Sequence, residues 1–295
     1  MEKLNPYMLL AISLVITLCY SVLRNDFSKR IAKTTVDYYM LNLMSNILSI
    51  IVLLFCGVGM PSPYTLAIGI AFGMATALAA ITNLMALHIG PFSYTSVIIT
   101  ASMIIPALSG RLIWQEPVSV RQYAGMLLMI VSIILGVDQK GDGKKSSVKW
   151  MALCLTTFLL GGSIGVMQKF HQSSIYKDER IAFLLVAFTI SMLFSLGMVA
   201  GHRKKDKEYR PAPSSSGIQT LVISVISGIC IALANLINLF LSGVVDSAVL
   251  FPALNGGGLL LTTLAAFTIF KERPSKKQWY GLSIGMVAIM MLCIT

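Results

Sequence analysis

Tyr39, Asn42 and Asn46 stand at i, i+3 and i+7 in a stretch that is otherwise almost wholly apolar, and that spacing places all three on one face of a helix. Thr76 and Asn83 repeat the i, i+7 step, and two further stripes follow it, Asn235, Asn238 and Ser242, then Asn255, Gly258 and Thr262. An amide or hydroxyl taken out of water is costly unless something answers it. Each stripe therefore faces another helix or a polar ligand. A single interhelical hydrogen bond of this kind contributes about 0.6–2 kcal/mol, and that accounts for any one residue taken alone. Four such stripes together favour contact with a small polar cargo for part of the set. Tyr20 and Tyr94 offer hydroxyls and ring faces at comparable depth. Gln168 and Lys169 close another apolar run, where the lysine suits either contact with a polar or anionic cargo or a snorkelling interfacial anchor.

Other chemistry is poorly represented. No Ser/His/Asp, HExxH, CxxC or phosphate-loop pattern occurs, and the three histidines, His88, His171 and His202, fall near predicted helix ends or in loops. The five cysteines lie singly inside apolar runs and read as small hydrophobes rather than metal ligands or disulfides. Neither a cofactor nor a metal is expected, and no enzyme activity. Glu116 and Glu272 each sit beside cations near a loop and read as interfacial residues.

The elements that must carry the stripes are membrane helices. The chain is 56% hydrophobic and 12% charged, with mean hydropathy +0.80 over 295 residues. Apolar runs long enough to cross about 30 Å of hydrocarbon occupy 6–23, 36–57, 64–87, 91–113, 120–137, 150–168, 181–201, 217–242, 247–270 and 279–295. The expectation is an all-α protein with ten transmembrane helices in a lipid bilayer. The run at 6–23 is followed, not preceded, by Arg24, Lys29, Arg30 and Lys33, which argues for a retained first helix over a signal peptide.

The net charge of +11 is segregated, which points away from nucleic acid. Connections 1–2, 3–4, 5–6, 7–8 and 9–10 hold 17 of the 23 lysines and arginines, and the opposite face holds six. The basic face is expected to be cytoplasmic, with both termini extracytoplasmic in a multi-pass protein of the cell membrane.

The linker QKGDGKKSS divides the chain into 1–138 and 149–295, with 139–148 between them, and the halves match. IWQEPVSVRQYAG, from Ile113, aligns without a gap on IFKERPSKKQWYG, from Ile269, pairing Glu116 with Glu272, Ser119 with Ser275, Gln122 with Gln278 and Gly125 with Gly281. GMATALAAITNL aligns on GICIALANLINL at nearly the same offset, pairing Gly73 with Gly228 and Asn83 with Asn238. Five spans per half is an odd number, so the halves enter from opposite sides. That predicts two inverted five-helix repeats, an architecture of transporters with a midplane site.

The two glutamate-to-glycine segments, together with GGSIGVMQK at the opening of the second half, resemble the drug/metabolite transporter superfamily, in particular its EamA-type ten-helix members, over the whole chain. The resemblance implies a 5+5 inverted repeat, a central cavity lined by helices 1–4 and 6–9, helices 5 and 10 at the periphery, and small organic metabolites as cargo. Small multidrug relatives in that superfamily use a glutamate in helix 1 for proton coupling. Here no acid stands between Asn5 and Asn25.

The function that follows is secondary transport of a small neutral, zwitterionic or weakly anionic metabolite by alternating access. Its rivals are a membrane scaffold or receptor-like protein that transports nothing, and proton-coupled efflux of drugs or amino acids. Small-xxx-small pairs at Gly69/Gly73, Gly161/Gly165, Ser224/Gly228 and Gly281/Gly285 allow close backbone approach, within the chain or at a homodimer seam. The segment FPALNGGGLLL, Phe251 to Leu261, puts a proline and three glycines inside an apolar run, and is expected to face inward because the carbonyl of Ala248 loses its helical donor at Pro252.

Overall fold

The computed structural model describes residues 5–31, 35–89, 95, 98–136, 147–205, 214–268 and 275–293. Tyr94, Glu272 and most of the 139–148 linker lie outside them, as does the side chain of Thr262. The described residues form ten α-helices: α1 Pro6–Arg30, α2 Thr35–Phe55, α3 Pro63–Ile89, α4 Ile104–Trp114, α5 Val120–Gly136, α6 Val148–Gln172, α7 Arg180–Lys205, α8 Ser214–Val244, α9 Ser247–Thr268 and α10 Lys276–Cys293.

Among the described residues, six segments can cross a membrane by length and composition: Pro6–Arg24, Val36–Phe55, Pro63–Asn83, Val148–Gln172, Arg180–Gly201 and Gly217–Val244. Shorter apolar helices run over Ile98–Trp114, Val120–Leu135 and Ser247–Leu261. A 3₁₀ turn, Ala101–Met103, precedes α4, within one turn of Pro106, whose ring nitrogen cannot donate to the carbonyl of Ser102.

Local signals set the helix ends. The side chain of Asn5 accepts the Tyr7 N–H at 2.9 Å with Pro6 in the first turn, and Ser147 Oγ accepts the Trp150 N–H at 3.1 Å. α5 and α10 open on the same device. Ser119 N–H donates to Gln122 Oε1 at 2.8 Å while Gln122 N–H donates to Ser119 Oγ at 3.2 Å. Ser275 and Gln278 repeat both bonds at 2.8 and 3.3 Å. These are reciprocal capping boxes, and they explain physically why serine and glutamine recur three residues apart in both halves.

Among the described residues, two large apolar clusters and two smaller ones hold the helices together. One of the large clusters joins α1, α4, α5, α8, α9 and α10 around Met129, Leu241, Leu250, Phe251 and Leu292. The other joins α2, α3, α7 and α8 around Leu53, Phe72, Phe183 and Leu239. Helix α5 lies along α10, α2 along α7 and α4 along α9. Helix α3 meets α6 and α7, while α8 meets α1 and α2.

Small residues bring these pairs close. A Cβ on Gly73 of α3 would lie 2.6 Å from the Ala187 carbonyl oxygen of α7, and one on Gly228 of α8 would lie 2.7 Å from the Ser45 carbonyl oxygen of α2. Each of the four small-residue pairs is met by another helix of the same chain: Gly161 by Ser102, Gly165 by Pro106 and Phe251, and Gly285 by Ser132 and Leu260.

Gly73→Leu is therefore expected to lower thermal stability in detergent, since overpacking a filled contact costs about 1–3 kcal/mol. Gly197→Leu on α7, where nothing lies within 4 Å of an added Cβ, should leave the melting temperature unchanged.

Candidate functional site

Between α1, α2, α3, α7 and α8 lies a cavity of about 240 Å³. Its residues sit in the middle of α3, α7 and α8, late in α1 and early in α2, so it occupies the depth from the centre of the bundle toward the basic end. Helix α1 contributes Tyr20 and Arg24, and α2 contributes Tyr39, Asn42 and Asn46. Thr76 of α3 and Asn235 of α8 add a hydroxyl and an amide, Ser191 and Ser195 come from α7, and the rings of Phe72, Phe188 and Phe194 complete the wall.

Part of this polar lining is tied to the helices that carry it. Asn46 Nδ2 donates to Ser191 Oγ at 3.1 Å across the α2–α7 contact. Asn235 Nδ2 donates to the Ile231 carbonyl of its own helix at 2.9 Å, and Thr76 Oγ1 to the Gly73 carbonyl at 2.9 Å. Arg24 Nη1 donates to Tyr20 Oη at 2.9 Å, one turn back along α1.

The cavity ends against aromatic side chains on the side away from the basic loops. Phe72 and Phe183 pack with ring centroids 5.1 Å apart, and the His171 ring lies 4.5 Å from that of Phe183. His171 is wholly buried, with Nε2 3.2 Å from Thr65 Oγ1 and Nδ1 3.1 Å from Gln172 Nε2. Gln172 Nε2 carries hydrogens only, so Nδ1 accepts and the ring proton sits on Nε2, donating to Thr65. Beyond it, Glu179 Oε2 accepts both the N–H and the hydroxyl of Ser62 at 2.9 Å. Hydrogen bonds from Thr65 and Ser62 hold the Glu179 carboxyl below its ordinary pKa.

A second polar centre lies near the same end, outside the cavity. Lys169 forms a buried ion pair with Glu116, and Glu116 Oε2 also accepts the Ser247 N–H at 2.8 Å, capping the first turn of α9. Glu116 and Lys169 are only 8% and 7% exposed, so neither is an interfacial residue: the lysine is turned inward onto a carboxylate that α4 delivers. Asp246 stands beside them. Burial raises its pKa, the nearby Glu116 raises it further, and Lys169 lowers it.

The structure thus brings Tyr20, Tyr39, Asn42, Asn46, Thr76 and Asn235 to one cavity and places the other described candidates elsewhere. Asn238 accepts from Ser13 Oγ at 2.5 Å, joining α8 to α1. Asn255 is exposed and donates to the Phe251 carbonyl at 3.0 Å. Gln168 is buried on α6, while Asn83 of α3 and Gly258 of α9 do not line the cavity. Tyr94 and the Thr262 side chain lie outside the described residues.

Three groups were missed. Arg24 counted as a loop cation because the apolar run stops at 23, yet α1 continues to Arg30 and its i−4 neighbour is Tyr20. The stripe Phe188, Ser191 and Ser195 was legible at i, i+3 and i+7 but carries no amide. The union of Glu116 with Lys169 joins the end of one predicted helix to the loop before another.

Compared with known proteins, the sequence matches the profile described as sugar transport protein over residues 9–295. The chain belongs to the sugar transport protein family. It is accordingly a membrane transporter. No functionally curated protein matches the sequence. A solved crystal structure of another protein aligns over 97% of this chain and 98% of its own at a TM-score of 0.70 and 13% identity, a likeness of fold alone.

Within this family member, Lys169→Met should destabilise the folded state by about 3–5 kcal/mol, because the Glu116 charge is left buried and alone. Glu116→Gln combined with Lys169→Met should recover most of that loss, which a double-mutant cycle of unfolding midpoints reads directly. Asp246→Asn should be more stable than wild type at alkaline pH. A carboxyl whose folded pKa is raised penalises the fold where it is ionised, so the difference should shrink on acidification and vanish below the ordinary value of 3.8.

Proposed function

We propose that this chain is a secondary transporter that carries a sugar or a similar small polyol through the α1/α2/α3/α7/α8 cavity by alternating access. The observation that carries the reading is the composition of that cavity, in which amides and hydroxyls from five helices face three phenylalanine rings. Such a wall matches a solute with hydroxyls at its edge and C–H faces above and below. The volume of about 240 Å³ falls beneath the roughly 300–1,000 Å³ of pockets for drug-sized ligands, which favours a monosaccharide-sized solute over a bulky drug. Membership of the sugar transport protein family points the same way.

Alternating access is supported by the asymmetry of the two ends. Toward the low-charge face stand Phe72, Phe183, His171 and the Ser62–Glu179 contact, while the cavity extends toward the basic end. This corresponds to a state closed on the low-charge side. We take the basic face as cytoplasmic by the positive-inside rule. The inverted-repeat reading, with halves 1–138 and 149–295 and the 139–148 linker, is supported by helix pairs that exchange when α1–α5 are replaced in order by α6–α10: α3–α6 becomes α8–α1, and α2–α8 becomes α7–α3.

The test is uptake of labelled monosaccharides and their derivatives into proteoliposomes. Asn42→Leu and Asn235→Leu should each lower transport affinity about tenfold or more, because a site built to hydrogen-bond a hydroxyl loses about 1–3 kcal/mol when a partner is removed. Asn255→Leu, on the exposed face of α9, should leave it unchanged. A scaffold that transports nothing predicts no uptake and no effect of any of the three.

A further inference from the structure

We infer that the cavity selects a sugar-like solute bearing one negative charge, and that Arg24 sets this preference. The inference rests on the transporter reading above and sharpens its substrate class.

Among the described residues, the cavity lining holds one charged side chain, Arg24, with no aspartate, glutamate or second cation beside it. A guanidinium stays protonated at any accessible pH and carries five N–H donors in a flat fork. Tyr20 Oη occupies one of them, at 2.9 Å. A neutral phenol does not balance the charge, and an ionisable side chain held inside a membrane helix marks a ligand site unless it escapes to water.

Escape is the ordinary alternative, and the geometry runs against it. Helix α1 continues for six residues past Arg24 to Arg30, toward the basic loop. A snorkelling arginine on this helix reaches toward its C-terminal end. Arg24 instead turns back one turn, bonding to Tyr20 with its guanidinium carbon 6.0 Å from the Tyr20 ring centroid. The phenol holds the fork over the same space that Asn42, Asn235 and Thr76 border.

Charge outside the cavity agrees with charge within it. The cavity extends toward the face that carries 17 of the 23 lysines and arginines, and a field of one sign raises the local concentration of solutes of the other. One guanidinium without a second cation fits a carboxylate better than a dianionic phosphate, so the predicted class is a sugar acid.

Equilibrium dialysis of purified protein with labelled glucuronate, and competition by glucose, glucosamine and glucose 6-phosphate, tests this. Glucuronate should bind about tenfold to a hundredfold more tightly than glucose, the range of a charge-assisted hydrogen bond, with glucosamine weakest. Tighter binding of glucose 6-phosphate than of glucuronate would keep the anion preference and overturn the sugar-acid assignment. Arg24→Gln should bring glucuronate down toward the glucose level, and Arg24→Lys, which keeps the charge and loses the fork, should retain part of the preference.

The wild-type ratio needs no variant and so stands even if Arg24→Gln fails to fold. Equal binding of glucose and glucuronate by wild type overturns the charge preference and leaves the sugar transporter reading intact. Failure of all four ligands to bind folded protein overturns both.

Discussion

Inside hydrocarbon a polar group has no water to turn to and needs an answer from protein or an internal space, and among the described residues only the hydroxyls of Ser45, Ser227 and Ser247 are buried without one. Where two helices run close enough to answer each other, the backbone carries small residues. Gly228 brings α8 against α2, and Ser49 Oγ then donates to the Gly228 carbonyl at 2.8 Å as well as to Ser45. Trp150 Nε1 reaches Thr95 Oγ1 at 2.8 Å, and Thr157 Oγ1 reaches Thr82 Oγ1 at 2.7 Å, closing α6 onto α3. Close approach and polar satisfaction are one constraint. A glycine removes the side chain that would separate the helices, and a serine or threonine uses the distance gained.

The cavity is the place where that constraint is relaxed. Its polar side chains lie on helices whose contacts elsewhere are close, yet across the cavity aromatic rings and alanines hold the backbones apart. An amide that bonds only to its own turn, such as Asn235 to Ile231, keeps a second functional atom available toward the open space. This separates it from Asn238, one turn further along α8, which is joined to Ser13 and so serves as structure. Two asparagines three residues apart on one helix thus have different surroundings, set by what faces them.

This distinction marks how far the sequence could be read. Helical spacing placed Tyr39, Asn42 and Asn46 together correctly, because spacing is a property of one helix. It did not distinguish Asn235 from Asn238, or show that Asn255 faces outward, because those outcomes depend on partners brought from other helices. The helix count of ten matches the apolar runs, although only six described helices have the length and composition to cross a membrane unaided. Arg24 was hidden by a boundary error of a few residues, the least reliable part of any reading from hydropathy. The partner of Lys169 was hidden by something harder: a buried ion pair needs two helix ends to converge, and nothing in either local segment announces the other.

The contact between α5 and α10 bears on how such a fold could move. Ser132 Oγ of α5 donates to the Gly281 carbonyl of α10 at 2.7 Å, while Gly125 of α5 lies against Ala288 of α10. The ungapped alignment that pairs Gly125 with Gly281 carries Ser132 onto Ala288, so the two contacts are counterparts of each other. A pair that repeats itself under exchange of the halves looks the same whichever side is closed, and rearrangement gives it nothing to gain. The cavity helices differ in this respect. Phe72 of α3 meets Phe183 of α7 at the low-charge end, whereas α8 meets α2 through Gly228 and Leu48. Those two interfaces are counterparts in connectivity and in their paired glycines, since Gly73 lies against Ala187 as Gly228 lies against Ser45, and among the described residues they differ in the Phe72–Phe183 ring contact that only the α3–α7 side carries.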